Sequence, residues 1–357
     1  MMQIRRVLIH ELSQASALAN SVFRNGRSPI MGTAFPALFS PGISHSFGAF
    51  NEQNRLVAFM GMTPLHIKTG DSVLNGFAVG SVCTDPEYRG SGVASALLEQ
   101  CQAHAKAAKA PLLFISGDRS LYTRNGAVYF GQALRFELTA EDFLRTYPEG
   151  AASSPLIKEY EDTHIFSFHT LLQRKPASLG WSVTELEQYI GAAPFTSVTG
   201  QQPLIRTAFS ASGEVTGIAA FGISSVRSNN PDEVQAQEGH LLEWAGEPAS
   251  IIAILRDIMI SEHLDRMTVT LPWQDKELAE LLQAANPLPT VQRNAGTVMI
   301  LDAAQLLQQL GIDGAADHLS PQELCACLFD PDSSLRKEGS CNFQLAPLPY
   351  MYGLYFI

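Results

Sequence analysis

Cysteine is scarce, five in 357 residues, and the five are odd in number and scattered: Cys83, Cys101, Cys325, Cys327 and Cys341. No disulfide framework follows from such spacing. Cys325-x-Cys327 lacks the second pair a zinc site needs, so no metal is expected. Long apolar runs are missing as well. No stretch approaches the length of a membrane span, and MMQIRRVLIHEL meets charge before any long apolar core, so neither a membrane anchor nor a secretory leader is read here. The cytoplasm is the expected location. Charge is sparse at 17%, and positive charge sparser: 24 Lys and Arg stand against 35 Asp and Glu, a net of -11. That balance argues against non-specific nucleic-acid binding. It suits cationic partners, or solubility alone. A Gly-x-Gly-x-x-Gly fingerprint at the first strand–helix turn is also absent, which excludes a dinucleotide-binding domain of that type.

What is present is ample core. Hydrophobic residues make up 46% of the chain, and its length is that of two to three domains. The rest is organised around residues 79–94, VGSVCTDPEYRGSGVA. Val79 to Cys83 reads as a strand, Asp85-Pro86 breaks it, and a helix follows to about Ala110. A glycine-rich turn entering a helix is an anion site, because free N–H groups and the positive end of the helix dipole converge on it. Gly92 is read as letting backbone approach a phosphate, and Ala94 as keeping the first turn thin. Val93, Leu97, Cys101 and Ala105 recur at helical spacing. A strand at 111–115, a short helical segment from Leu121-Tyr122 to Asn125-Gly126 and a strand at 128–138 complete the run.

Arg89-x-x-Gly92-x-Ala94, behind a strand ending Val82-Cys83-Thr84, resembles the acetyl-CoA pyrophosphate loop of the GNAT N-acetyltransferases, and the order of elements around it is that family's. The resemblance implies acetyl-CoA as co-substrate, held by Val82, Cys83, Thr84, Arg89, Gly90, Ser91, Gly92, Val93 and Ala94. Arg89 would bind pyrophosphate; the alternative is a surface ion pair. Ser116 would contact the pantetheine arm or cap a helix. Tyr122 occupies the place of the family's general acid, the alternative being a packed core tyrosine. Many members carry a basic glutamate on the strand before the loop, but residues 75–82, NGFAVGSV, hold no carboxylate, and Asp85 reads more simply as a turn residue. His66, at the far end of a strand spanning 55–67, is a candidate base or a solvated surface residue. Phe35, Leu38 and Phe39 either wall an acceptor site or close the core.

A second unit repeats the pattern beyond a linker at 146–155. The hairpin 210–223, the strand 240–244, the helix 248–263 and the strand 267–271 mirror the first unit at an offset of 160. On that offset Gly92 falls on Ile252 and Arg89 on Ala249, so the phosphate loop is expected to be lost. The expected fold class is therefore α/β (α+β): two tandem GNAT folds, each a mixed, mostly antiparallel sheet flanked by helices, plus a short C-terminal segment. The expected domains are 1–148 (catalytic, acetyl-CoA-binding), 149–305 (degenerate, without the loop) and 306–357 (short, reaching back to the first). This arrangement, with LFISGDRSLYTRNG at 113–126, LLQRKPASLGW at 171–181 and TVMILDAAQLLQQL at 297–310, resembles the enhanced intracellular survival (Eis) acetyltransferase group. In that group a terminal carboxylate reaches the active site, and here it would be that of Ile357; the apolar tail PLPYMYGLYFI either delivers it or seals a groove. The sterol-carrier-like domain usual in the group is shortened, so lipid carriage is not expected and a homo-oligomer stays open. The implied function is acetyl transfer from acetyl-CoA to a primary amine: a small cationic amine, an aminoglycoside-like molecule or a lysine. The second reading is a non-catalytic acyl-CoA sensor. Neither nucleic acid nor membrane is an expected partner.

Overall fold

The structure, a computed structural model, describes residues 2–148, 155–226, 236–286, 288–313 and 318–357. It divides into two compact units. The first comprises Met1–Gly131, Asn294–Met351 and Phe356–Ile357; the second comprises Gln132–Arg293 and Tyr352–Tyr355.

The first unit runs β1 (Gln3–Arg6), α1 (Leu12–Phe23), α2 (Met31–Ala34), α3 (Pro36–Phe39), β2 (Phe47–Phe50), β3 (Leu56–Thr69), β4 (Ser72–Thr84), α4 (Val93–Ala107), β5 (Leu112–Ile115) and α5 (Ser120–Thr123). The chain continues through β6 (Ala133–Thr139), α6 (Ala140–Thr146), β7 (Leu156–Glu159), α7 (Ile165–Arg174), β8 (Ala177–Leu179), α8 (Val183–Ala192), α9 (Pro194–Thr199), β9 (Gln202–Phe209), β10 (Val215–Val226) and β11 (Ala236–Gly246). Next come α10 (Pro248–Ser261), β12 (Arg266–Pro272), α11 (Lys276–Ala285), β13 (Thr290–Gln292), β14 (Thr297–Ile300), α12 (Ala303–Gln309), α13 (Pro321–Phe329) and α14 (Ser334–Lys337).

The first sheet has the order β1-β2-β3-β4-β5-β14. Along this order the pairs are antiparallel except β4 with β5. A parallel pair needs a crossover, and α4 supplies it. That helix buries Val93, Leu97, Leu98, Cys101 and Ala105 on one face, the face the 3.6-residue period predicts. The second sheet has the order β13-β6-β12-β11-β10-β9-β7. Here β11 and β12 form the parallel pair and α10 is the crossover. The internal repeat is thus visible as topology: two mixed sheets, each with one parallel step bridged by a long helix.

β6 and β14 lie in sheets other than those expected. β6, anticipated in the first unit, pairs with β12 and β13. β14, anticipated as the close of the second unit, pairs with β5. The compact units accordingly change at Gly131/Gln132 and Arg293/Asn294, not at 148 and 305. Alternating apolar residues mark a strand without naming the edge it will join, so the pattern alone does not resolve this. The linker expected at 146–155 lies largely on 149–154, outside the described residues. The stretch SPQELCACLF forms α13, started by a capping box in which Ser320 Oγ accepts from Glu323 N–H and Glu323 accepts from Ser320 N–H. All five cysteines are buried, and none forms a disulfide.

Candidate active site

The site begins with a fault in β4. Val79 is still paired with Ile115 of β5, and its carbonyl accepts from Ser116 N–H at 3.1 Å. Beyond Val79 the register of β4 against β3 shifts between Phe59 and Gly61, opposite Cys83 and Gly80. Ser81 sits in this bulge with φ +50, a backbone region costly for a non-glycine residue. Past the bulge β4 pairs only with β3. Asp85 N–H points to Val57 O at 2.8 Å, so strand alternation turns the N–H groups of Val82 and Thr84 to the side where β5 no longer follows.

Residues 85–92 then lead into α4. Asp85 Oδ1 accepts from Glu87 N–H at 3.1 Å and Oδ2 from Arg55 at 2.7 Å. These bonds, the Glu87 N–H first, hold its carboxyl below the usual carboxylate range. Asp85 is thus a fixed turn residue. Ser91 Oγ donates to Tyr88 O at 2.6 Å. Gly90 and Gly92 have φ +77 and +78, and a Cβ at either would meet nothing within 4 Å. Their requirement is therefore conformational: the left-handed turn that sets Gly92 as the N-cap of α4. The first N–H groups of that helix have no intrahelical acceptor. They open on a groove of about 270 Å³ lined by Thr84, Arg89, Gly92, Ala94, Leu121 and Arg124, among others. Arg89 Nε bonds Thr84 O at 3.4 Å, and among the described residues Arg89 makes no ion pair, Asp85 being taken by Arg55.

Tyr122 on α5 is buried in the core of the first unit, and burial pushes its phenol up to about 12, with Arg119 pulling the other way. Ser116 caps no helix; its hydroxyl, like its N–H, is directed to Val79 O. Cys83 is buried, its thiol raised to about 12 by desolvation, so only its backbone is available to a ligand. Ile357 lies against the bulge: a Cβ on Gly80 would collide with its main-chain carbon and oxygen. Its neighbour Phe356 packs on Phe35, ring centroids 6.0 Å apart. Phe35, Leu38 and Phe39 are all buried, Phe39 stacking on Phe59. His66 is not brought to this place. It is exposed and pairs with Asn75, five residues along β3 from Gly61 at the bulge, a distance of about 16 Å at 3.3 Å per residue.

Sequence reading missed three participants. Arg124 joins Arg89 on the groove through a single turn of helix, a placement no linear spacing announces. Gly80 was a usable signal, since glycine inside a strand marks a bulge or a close backbone approach. Ser81 carries a buried hydroxyl without a hydrogen-bond partner.

In the second unit the corresponding place is built differently. α10 follows β11 after one residue, Glu247, with Pro248 at the first helical position. Aligned at the helix starts, the offset is 155 (248 − 93), not 160. Gly92 then corresponds to Glu247, and Ile252 is simply a buried residue of α10. The phosphate loop is absent because the eight residues 85–92 have shrunk to one. Among the described residues no group of three or more His, Cys, Asp or Glu is placed to hold a metal, and no helix is long and apolar enough to cross a membrane.

Comparison with known proteins agrees with this geometry. Residues 3–130 match the family model described as an acetyltransferase (GNAT) domain. The fold is similar to a conserved protein from Enterococcus faecalis V583 described as a probable N-acyltransferase (TM-score 0.67, 16% identity, 87% of this chain and 75% of that one). It is similar to Eis1 from Mycobacterium abscessus (0.58, 12%, 87% and 76%) and to Saccharomyces cerevisiae N-myristoyltransferase with bound myristoyl-CoA (0.51, 12%, 84% and 82%). No curated protein matches the sequence. Residues 3–130 match a GNAT acetyltransferase domain, and that match supports acyl transfer from an acyl-CoA. Acetyl-CoA is the co-substrate of the class, and the groove at the N-terminus of α4, with two arginines and free N–H groups, fits its pyrophosphate.

Proposed function

We propose that the chain transfers the acetyl group of acetyl-CoA to a primary amine of a small cationic molecule or a lysine side chain. In this reading the first unit carries the catalytic function, the second is a companion without the cofactor loop, and Ile357, which belongs to the first unit, lies at the site. The observation that carries it is the placement of Ile357 on Gly80, at the bulge where β4 leaves β5 and a few residues from the helix-end groove.

Bound acetyl-CoA supplies an activated thioester. The chain's own residues supply the rest. N–H groups of Val82 and Thr84 are free to stabilise the oxyanion that develops on the acetyl carbonyl. An amine with pKa ~10.4 is neutral in about one molecule in 2,500 at pH 7, so its proton must be taken. The α-carboxylate of Ile357, ordinarily near ~3.5, is ionised at that pH and orients or accepts it; His66 is too far along β3 to serve. Tyr122 stays protonated through the working range. Its phenol lies above a thiol of pKa ~8.5, so it acts chiefly as a hydrogen-bond donor to the leaving sulfur.

The test is a panel of polyamines, aminoglycosides and lysine peptides incubated with acetyl-CoA, with acetylated product identified by mass. Acetylation of at least one amine is expected. Tight acetyl-CoA binding with no amine acetylated would favour the sensor reading, which the burial of Tyr122 supports.

A further inference from the structure

The second unit holds a cleft far larger than the groove of the first, about 1250 Å³. It lies beside the end of β11 and the start of α10, the counterpart of the place where the first unit carries its anion groove. Its chemistry is opposite. The connection is reduced to Glu247, whose carboxylate stands at the positive end of α10, and Pro248 contributes no N–H. Glu214 and Glu277 also line the cleft, and with Glu247 and Asp275 they face Arg174, Lys175 and Lys276, four carboxylates against three cations. At the start of α10 a phosphate would meet the Glu247 carboxylate in place of a glycine-rich turn.

Asp275 lies in the wall. It is 7% exposed and its Oδ2 has no hydrogen-bond partner. It occupies the N-cap position of α11, yet its side chain makes no capping bond, although aspartate is among the best residues for that task. Lys175, whose charge also reaches Asp275, gives its hydrogen bonds to other groups: its Nζ donates to Glu243 Oε1 and to Trp244 O, both at 3.1 Å, and lies 4.3 Å from the centroid of the Trp244 ring. A buried carboxylate oxygen lacking a donor is costly, and one found in the wall of a large cleft marks where a ligand's donor belongs. The cleft also has an apolar side. Leu171 and Trp244 line it, and Phe166 at its edge is 70% exposed.

We propose that this cleft is a second ligand site, which takes an amphipathic organic cation: a primary ammonium or guanidinium donating to Asp275, with an apolar body along Trp244 and Phe166. The site is independent of the acetyl-transfer reading. It would hold whether or not the first unit turns over an amine.

The probe is 2-phenylethylammonium, with 3-phenylpropionate as a control of similar body and opposite charge. Calorimetry and hydrogen–deuterium exchange on the full chain, without acetyl-CoA, read binding and its location. The cation is expected to protect amides in 244–251 and 274–279 and the anion to leave them unchanged. Asp275→Asn should weaken the cation at least tenfold without lowering the melting temperature. Protection confined to the first unit, equal binding of the anion, or undiminished binding by the variant would overturn the assignment. So would a large loss of stability in Asp275→Asn, because the carboxylate would then be a structural partner.

Discussion

The main-chain carbon and oxygen of Ile357 fill the space that a Cβ on Gly80 would need, leaving no room for a side chain between them. Gly80 adjoins the bulge at Ser81, so the fit couples the end of the chain to the strand fault that exposes the Val82 and Thr84 N–H groups. Gly80→Ala should displace Ile357 while the sheet, whose φ at this position is ordinary, persists. A misplacement of about 1 Å costs catalysis up to about 10²-fold. A fall in kcat of ten- to a hundredfold with acetyl-CoA affinity retained is expected; stopped-flow turnover and calorimetry measure the two separately.

Tyr122 gives a second expectation. If its hydroxyl assists departure of the thiolate, Tyr122→Phe lowers kcat roughly 10²–10⁴-fold and leaves the dissociation constant of acetyl-CoA nearly unchanged. The ring packing is preserved, so the melting temperature should move little. Unchanged kcat would leave Tyr122 as a packed core residue.

The groove at α4 predicts a single cofactor site per chain. Gly92→Ile forces a β-branched residue to φ near +78, a conformation such residues avoid. It should abolish acetyl-CoA binding. Arg124→Ala should weaken it without abolishing it, since Arg89 and the helix N-terminus remain. Calorimetry that finds two equivalents per chain would contradict the loss of the loop at Glu247.

The contrast between what could and could not be read from the sequence is physical. The turn 85–92 was legible because its information is local: breaker, glycines and helix onset sit in consecutive residues. So was the repeat of hairpin, strand and helix in the second unit. The partners of β6 and β14 were not, because edge pairing depends on which strand is free in space. His66 looked plausible because it stands on the right strand, but β3 carries it away from the bulge. The offset of 160 failed at α10 because a shortened turn shifts every later residue. Asp275 stands in no sequence motif, and only the fold shows its Oδ2 left without a donor.

Asp275 also predicts a pH dependence of stability. Burial raises its carboxyl to about 6 from 3.8, with Lys175 opposing and Glu243 adding to the shift. The folded state thus holds this proton more tightly than the unfolded chain. Its contribution is present below pH 3.8 and lost as pH rises through 6, a change of about 3 kcal/mol at 1.36 kcal/mol per unit. Asp275→Asn removes that loss, so its melting temperature should exceed the wild type's by more at pH 7.5 than at pH 4.5. A constant difference across that range would mean the carboxyl titrates normally.

Amine-dependent release of free thiol from acetyl-CoA, followed in one assay for the wild type, Gly92→Ile, Tyr122→Phe and a protein amidated at Ile357, tests the whole account. Rapid release by the wild type is expected, with no release from Gly92→Ile and strongly reduced release from the other two. Full activity in the amidated protein would remove Ile357 from the chemistry, and wild-type protein that binds acetyl-CoA but releases no thiol with any amine would contradict the assignment as an N-acetyltransferase.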